Sequence, residues 1–309
     1  MRLISGWAAA RSSGPTPYTP RTPASSRRTG TLAELTMDGV TVLKDTDTIV
    51  AGPRLTCARA FVDNDIRMRN GASWSENPEE KIGFFGSGLS QLRYHARPIE
   101  VRADCIRTVV EVTGGKSAGY THETIWRFND DGSIAADQKM TPHGRFPKWL
   151  PRLGLTLRLD PELERMSYFG RGPWENYTDR NTGSFVGRYS STVADLYEEY
   201  VRPQDNGYRS DVRWVTLKEA DGSGVRFECD MPMFFQALHY SWDDLEYARH
   251  RSGQEHIVNM KEPRKEIFLN LDVRQLGLGG ASCGPPPMDK YIFPIQEECW
   301  SLLMKIIQN

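Results

Sequence analysis

Short runs of alternating apolar and polar residues, separated by Asp/Gly turns, limit this chain to an antiparallel β architecture. Ile125-Trp-Arg-Phe128 and Ser133 to Met140 flank Asn129-Asp-Asp-Gly132, the composition of a hairpin loop. Trp214 to Lys218 and Val225 to Cys229 flank Ala220-Asp-Gly-Ser-Gly224 in the same way. Leu153 to Leu159 alternates with period two, as a half-buried strand does. Ile267 to Asp272 reads as a buried strand, and Trp300 to Ile307 as a strand or a helix. One helix is expected over Ser241 to His250. It opens on a Ser N-cap with acidic residues in its first turn and closes on Arg and His. Many strands with one short helix predict an all-β sandwich of unusual size, in one large domain from residue 29 to 309.

The first 28 residues differ from the rest. They hold four prolines (Pro15, Pro17, Pro20, Pro23), five arginines and no acidic residue. Neither a secretory apolar core nor an amphipathic transit helix fits that stretch, and a disordered or aberrant tail is expected. Over the whole chain 39 Lys and Arg face 40 Asp and Glu, a net charge of −1. That balance gives no electrostatic footprint for nucleic acid or an anionic membrane. No apolar run approaches the ~20 residues of a membrane span. Five scattered cysteines (Cys57, Cys105, Cys229, Cys283, Cys299) without paired spacing predict reduced thiols, no zinc site and a cytoplasmic setting.

Two segments stand out from this background. Tyr168 to Arg180 reads Tyr-Phe-Gly-Arg-Gly-Pro-Trp-Glu-Asn-Tyr-Thr-Asp-Arg. Its glycines and proline fix a sharp path, around which sit aromatic rings and Glu175, Asn176, Asp179 and Arg180. Such a loop packs as a corner of a large β fold or faces a sugar-like ligand. Glu175 and Asp179 suggest the paired carboxylates of a glycosidase, but Arg180 is a ready partner for either, and a structural ion pair is the stronger reading. Leu276 to Pro287 is the second, with glycines before Cys283 and three prolines after it. That composition makes a projecting loop of defined shape. A catalytic thiol at Cys283 is disfavoured because no basic partner lies nearby in the sequence. Asp63-Asn64-Asp65 offers too few ligands for calcium and reads as a capping turn.

Together these segments resemble the C-terminal, small-chain region of glycoside hydrolase family two β-galactosidases. The resemblance is carried in order by Phe61 to Asp65, Tyr168 to Arg180, Arg202 to Trp214, Trp242 to His250 and Leu271 to Pro285. It covers residues 29 to 307. It implies a β supersandwich of the galactose mutarotase-like type. It also implies no catalytic residue and no cofactor on this chain, because the family's catalytic glutamates and their magnesium lie in a separate (β/α)8 barrel. The implied partner is that catalytic large chain, with a galactoside in the composite site. The loop Gly279, Gly280, Ser282, Cys283, Gly284 is implied to be the substrate-adjacent element. Cys283 stands near a position where family members often carry a sugar-stacking tryptophan. A thiol lacks that apolar face, so the implied role is to close a pocket rim. Asp63, Asn64, Asp65, Glu175, Asn176, Asp179 and Arg180 are implied to be structural. The family's strand before Thr29-Gly-Thr-Leu32 is replaced here by the Pro/Arg-rich tail, so a domain truncated at that edge is expected. Alternatives are a stand-alone carbohydrate-binding or mutarotase-like module, or a non-functional gene fragment.

Overall fold

A computed structural model describes residues 30–37, 39–46, 50–115, 118–250, 260 and 262–308. The tail expected over residues 1–28 lies outside them. Strands β1 (Glu34–Met37) and β2 (Val40–Lys44) form a separate hairpin. The main sheet takes β3 (Arg54–Thr56), β4 (Arg93–Ala96), β5 (Glu100–Val101), β6 (Ile106–Thr113), β7 (Ala118–Phe128), β8 (Ile134–Gly144) and β9 (Arg152–Leu159). It continues with β10 (Arg165–Gly172), β11 (Phe185–Thr192), β12 (Arg209–Lys218), β13 (Gly224–Leu238), β14 (Ile267–Gln275) and β15 (Glu298–Ile307). Every pairing is antiparallel, as the alternating runs require. The hairpins anticipated at 129–132 and 220–224 both form. Residues 300–307 belong to strand β15, with alternate side chains buried.

Strand β13 organises the two layers. Its first half, Gly224–Cys229, pairs with β15 and leads outward through β8, β7 and β6 to β4. Its second half, Phe234–Leu238, pairs instead with β14, which leads through β9 to β3. A long strand that changes partners along its length turns one sheet into two packed faces. The register of β12 against β13 shifts on either side of Val212, and Asp211 takes a positive φ of 53° there. That irregularity bends the strand pair at the change of partner. One core cluster joins the inward side chains of both faces, among them Trp126, Met140, Leu155, Phe227, Phe235, Leu271 and Leu302. Each large apolar side chain fully buried in this way stabilises the fold by about 1.5–3 kcal/mol.

The expected helix is present over Trp242–His250. Ser241 Oγ accepts the Asp244 backbone N–H at 3.2 Å, while Asp244 Oδ2 accepts the Ser241 N–H at 3.0 Å, a reciprocal cap. Two short helical segments, Ile66–Asn70 and Phe84–Ser87, add to it. Periodicity did not announce them, because pieces of five and four residues are too short to show a face. Leu153 to Leu159 is more deeply buried than a half-exposed strand. Strand β9 has neighbours on both sides, β14 and β3.

Candidate functional site

The loop that follows β14 draws three of the sequence motifs to one place. It leaves the sheet at Leu276, whose carbonyl accepts Arg59 Nη1 at 3.1 Å. Asp179 then receives the next two free amides, Leu278 N–H at 2.9 Å and Gly279 N–H at 2.8 Å, one on each carboxylate oxygen. A side-chain carboxylate facing two successive backbone N–H groups is a strong, directional clamp. Arg180 Nη2 and Asn64 Nδ2 both donate to the Gly279 carbonyl, the latter at 2.9 Å. Asn64 Oδ1 in turn accepts the Ser282 N–H at 3.2 Å. The loop closes on itself through Gly280 N–H to Pro285 O at 3.0 Å and Gly284 N–H to Gly280 O at 2.7 Å.

Two of its glycines are required by space and dihedral. A Cβ on Gly277 would sit 2.9 Å from Asp179 Cγ and from Tyr291 Cβ, closer than packed atoms tolerate. Gly279 has φ +62° and a Cβ there would meet Pro287 N at 2.6 Å. Ser282 and Cys283 end up exposed at the tip, while Ala281 is buried beneath them. The cleft under the loop, between Asn64, Met68, Trp149, Ala281 and Pro286, has a volume of about 10 Å³. That admits a water molecule and no sugar.

The remaining motif residues hold neighbouring segments. Asp65 accepts Arg59 Nη2 at 2.9 Å and the Val62 N–H at 3.0 Å, and Asp63 pairs with Arg202. Asn176 is fully buried. It donates to the Arg171 and Trp174 carbonyls at 3.1 and 3.0 Å and accepts the Ser210 N–H at 2.9 Å. Glu175 does not pair with Arg180. It accepts the Tyr200 hydroxyl and the Gly207 N–H, the latter at 2.8 Å. Burial raises its pKa above the ordinary carboxylate value, against the pull of those two donors. Arg180 lies 3.5 Å from Asp179 instead. Glu175 and Asp179 are thus committed to hydroxyl and backbone donors in two different segments.

Below the loop lies a buried polar network that sequence reading did not single out. Arg152, 1% exposed, donates to Tyr208 Oη at 2.8 Å, Gln236 Oε1 at 3.3 Å and Asn270 Oδ1 at 3.2 Å, and lies 3.7 Å from Asp272. Tyr208 donates to Asp272, and Asp205 accepts Tyr177 Oη and Gln236 Nε2, both at 3.0 Å. The sequence signal was an Arg beginning a Leu-rich strand and Asn270 and Asp272 inside an apolar one. Burial pushes Asp205 and Asp272 up to about 6, although Arg59 and Arg152 act in the opposite sense. Because the folded value exceeds the unfolded one, near 3.9, their stabilising contribution is full below pH ~3.9 and is lost as pH rises through about 6. Asp272→Asn, which cannot titrate, should therefore gain stability relative to the wild-type chain as pH rises from about 4 to 7. Paired urea titrations across that range check it, and a flat or inverted difference contradicts it.

A larger groove, about 320 Å³, lies over the outer face of β7, β8 and β15. Its charged groups are already held by neighbouring side chains or backbone. Lys139 meets Glu297 at 3.2 Å, Ser301 Oγ donates to Asp137 at 2.6 Å and Glu123 pairs with Arg107. No polar groups converge there on a ligand position. Among the described residues no group of three or more His, Cys, Asp or Glu is placed to hold a metal ion. Nor, among those residues, is any helix long and apolar enough to cross a membrane.

A family model described as β-galactosidase small chain matches residues 23–304. The chain is 30% identical over 262 residues to a β-galactosidase of Vibrio cholerae serotype O1, covering 82% of this chain and 23% of that protein. It is 28% identical over 269 residues to a β-galactosidase of Arthrobacter sp., covering 83% and 26%. A β-galactosidase of Streptococcus thermophilus is 26% identical over 270 residues, covering 86% and 24%. The chain thus spans about a quarter of the length of the curated relatives it matches. With the family model matched along nearly its whole length, this chain belongs to the β-galactosidase small-chain family.

Proposed function

We propose that this chain is the non-catalytic part of a β-galactosidase and completes the sugar-binding site of a separate catalytic barrel that cleaves terminal β-galactosides. One observation carries the reading. The Gly279–Gly284 loop is clamped from two sides by Asn64, Asp179 and Arg180 and exposes Ser282 and Cys283, yet encloses no cavity of sugar size. A loop held that firmly around no pocket of its own suits the wall of a pocket whose floor is supplied by another body. The catalytic glutamates and the magnesium implied by the resemblance would reside on that body. A stand-alone mutarotase-like role needs an accessible acid and base. The carboxyls that burial pushes up to about 6, Asp205 and Asp272, are 2% and 0% exposed. Mixing the purified chain with a β-galactosidase catalytic chain and assaying aryl β-galactoside hydrolysis tests the proposal. Activity should appear only in the mixture, with a joint peak on size exclusion. No gain and no joint peak would refute it.

A further inference from the structure

The loop does not stand alone on its face of the molecule. The hydrogen bonds that hold it form a chain of contacts around a rim. Asp179 and Arg180 meet Gly279, Gly279 and Ser282 meet Asn64, Asp63 meets Arg202, and Tyr200 meets Glu175 beside Trp174. Large apolar side chains project from this same rim. Trp174 is 70% exposed, Val201 67%, Ile66 55% and Phe185 74%. Phe185 faces Gly172 across β10 and β11, two residues before Trp174. The Trp174 backbone is fixed by the buried Asn176, which donates to its carbonyl at 3.0 Å. These side chains are displayed on a rigid frame, and an array of this kind marks a surface that another body covers.

Resting on the functional reading above, we propose that the rim formed by Ile66, Trp174, Phe185 and Val201 is the surface on which the β-galactosidase catalytic region docks. Three observations select that occupant over a small ligand or a second copy. The rim is continuous with the substrate-adjacent loop, so whatever covers it also meets Ser282 and Cys283. The curated relatives carry about three quarters of their length outside the region matched here. Both arginines of the rim are already paired, Arg202 with Asp63 and Arg180 with Asp179, while Glu175 accepts the neutral Tyr200 hydroxyl and Glu198 and Glu199 lie exposed beside Val201. A partner therefore meets apolar side chains flanked by paired arginines and by exposed carboxylates. Its matching face is apolar where it covers Trp174 and Val201, and burial of those side chains supplies the affinity.

The test places a photo-crosslinking phenylalanine analogue at Trp174, at Val201 and, as a control, at Phe128 on the distant β7–β8 hairpin. Each full-length variant is expressed in the protein's own host, irradiated, and its crosslinked peptides identified by mass spectrometry. Crosslinks from positions 174 and 201, absent from position 128, to a chain carrying a β-galactosidase catalytic region are expected. Capture of that chain from position 128 alone overturns the surface but leaves the functional reading standing. Crosslinks to a second copy of this chain overturn the choice of occupant. Capture of no β-galactosidase chain from any position overturns both. With the captured partner purified, the double variant Trp174→Ser, Val201→Ser should weaken binding by about tenfold or more. Unchanged affinity of the double variant would overturn the apolar docking surface.

Discussion

Replacing Arg152 with alanine should destabilise the chain by about 3–5 kcal/mol, the cost of leaving a buried charge without its partner. The guanidinium is 1% exposed and reaches four side chains from two strands and a loop, namely Tyr208, Gln236, Asn270 and Asp272. Removing it leaves Asp272, fully buried, facing the Tyr208 hydroxyl with its main compensating cation gone. It also strips a donor from each of the Gln236 and Asn270 carbonyl oxygens. Since a whole domain is stable by only about 5–15 kcal/mol, the variant should show a large fall in its urea midpoint and in soluble yield. Arg152→Ala combined with Asp272→Asn should recover part of the loss, because the second change removes the orphaned charge. A single variant that melts within about 1 kcal/mol of wild type would mean that the network contributes far less than its burial indicates.

Asp179→Ala should act differently, with little effect on global stability and a large one on the loop. The side chain is 6% exposed and accepts two backbone N–H groups, each charge-assisted bond contributing about 1.5–3 kcal/mol. Those amides belong to a peripheral loop rather than to the core, so what they hold is local order. Hydrogen exchange at Leu278 and Gly279 should lose its protection while β13 and β14 keep theirs. Under the proposed function, a shift of the loop by about 1 Å should lower the activity of the mixture with a catalytic chain by roughly a hundredfold. Unchanged exchange at these two amides would show that Arg180, Asn64 and the loop's own turns suffice to hold it.

Much of the fold could be read from residues. The hairpins at 129–132 and 220–224 follow from Asp/Gly turns between alternating runs, and the helix at 242–250 from its Ser241–Asp244 cap. The change of partner along β13 could not be read, since alternation specifies which face is buried and not which strand lies alongside. The same limit applies to the site. Motif composition singled out Asp63–Asp65, the Tyr168–Arg180 segment and the Leu276–Pro287 loop separately. Only three-dimensional placement shows that Asn64, Asp179 and Arg180 converge on Gly279. Proximity in sequence points Glu175 toward Arg180. The turn between them sends Glu175 to Gly207 and Tyr200 instead. Arg152 and Asp272 stand out as charged residues in apolar strands, but that pattern does not disclose their partners.

The central claim is that the Gly279–Gly284 loop forms part of a galactoside site built jointly with a catalytic chain. Cys283 supplies a direct probe, because it is exposed at the loop tip and the exposed Cys299 on β15 serves as an internal reference. The rates at which a thiol reagent modifies the two cysteines can be compared for the isolated chain, for its mixture with the catalytic chain, and for that mixture with a non-hydrolysable galactoside. The account predicts that Cys283 slows on mixing and slows further with the sugar, while Cys299 keeps its rate throughout. Equal rates for Cys283 in all three samples, in a mixture shown to be assembled and active, would contradict it.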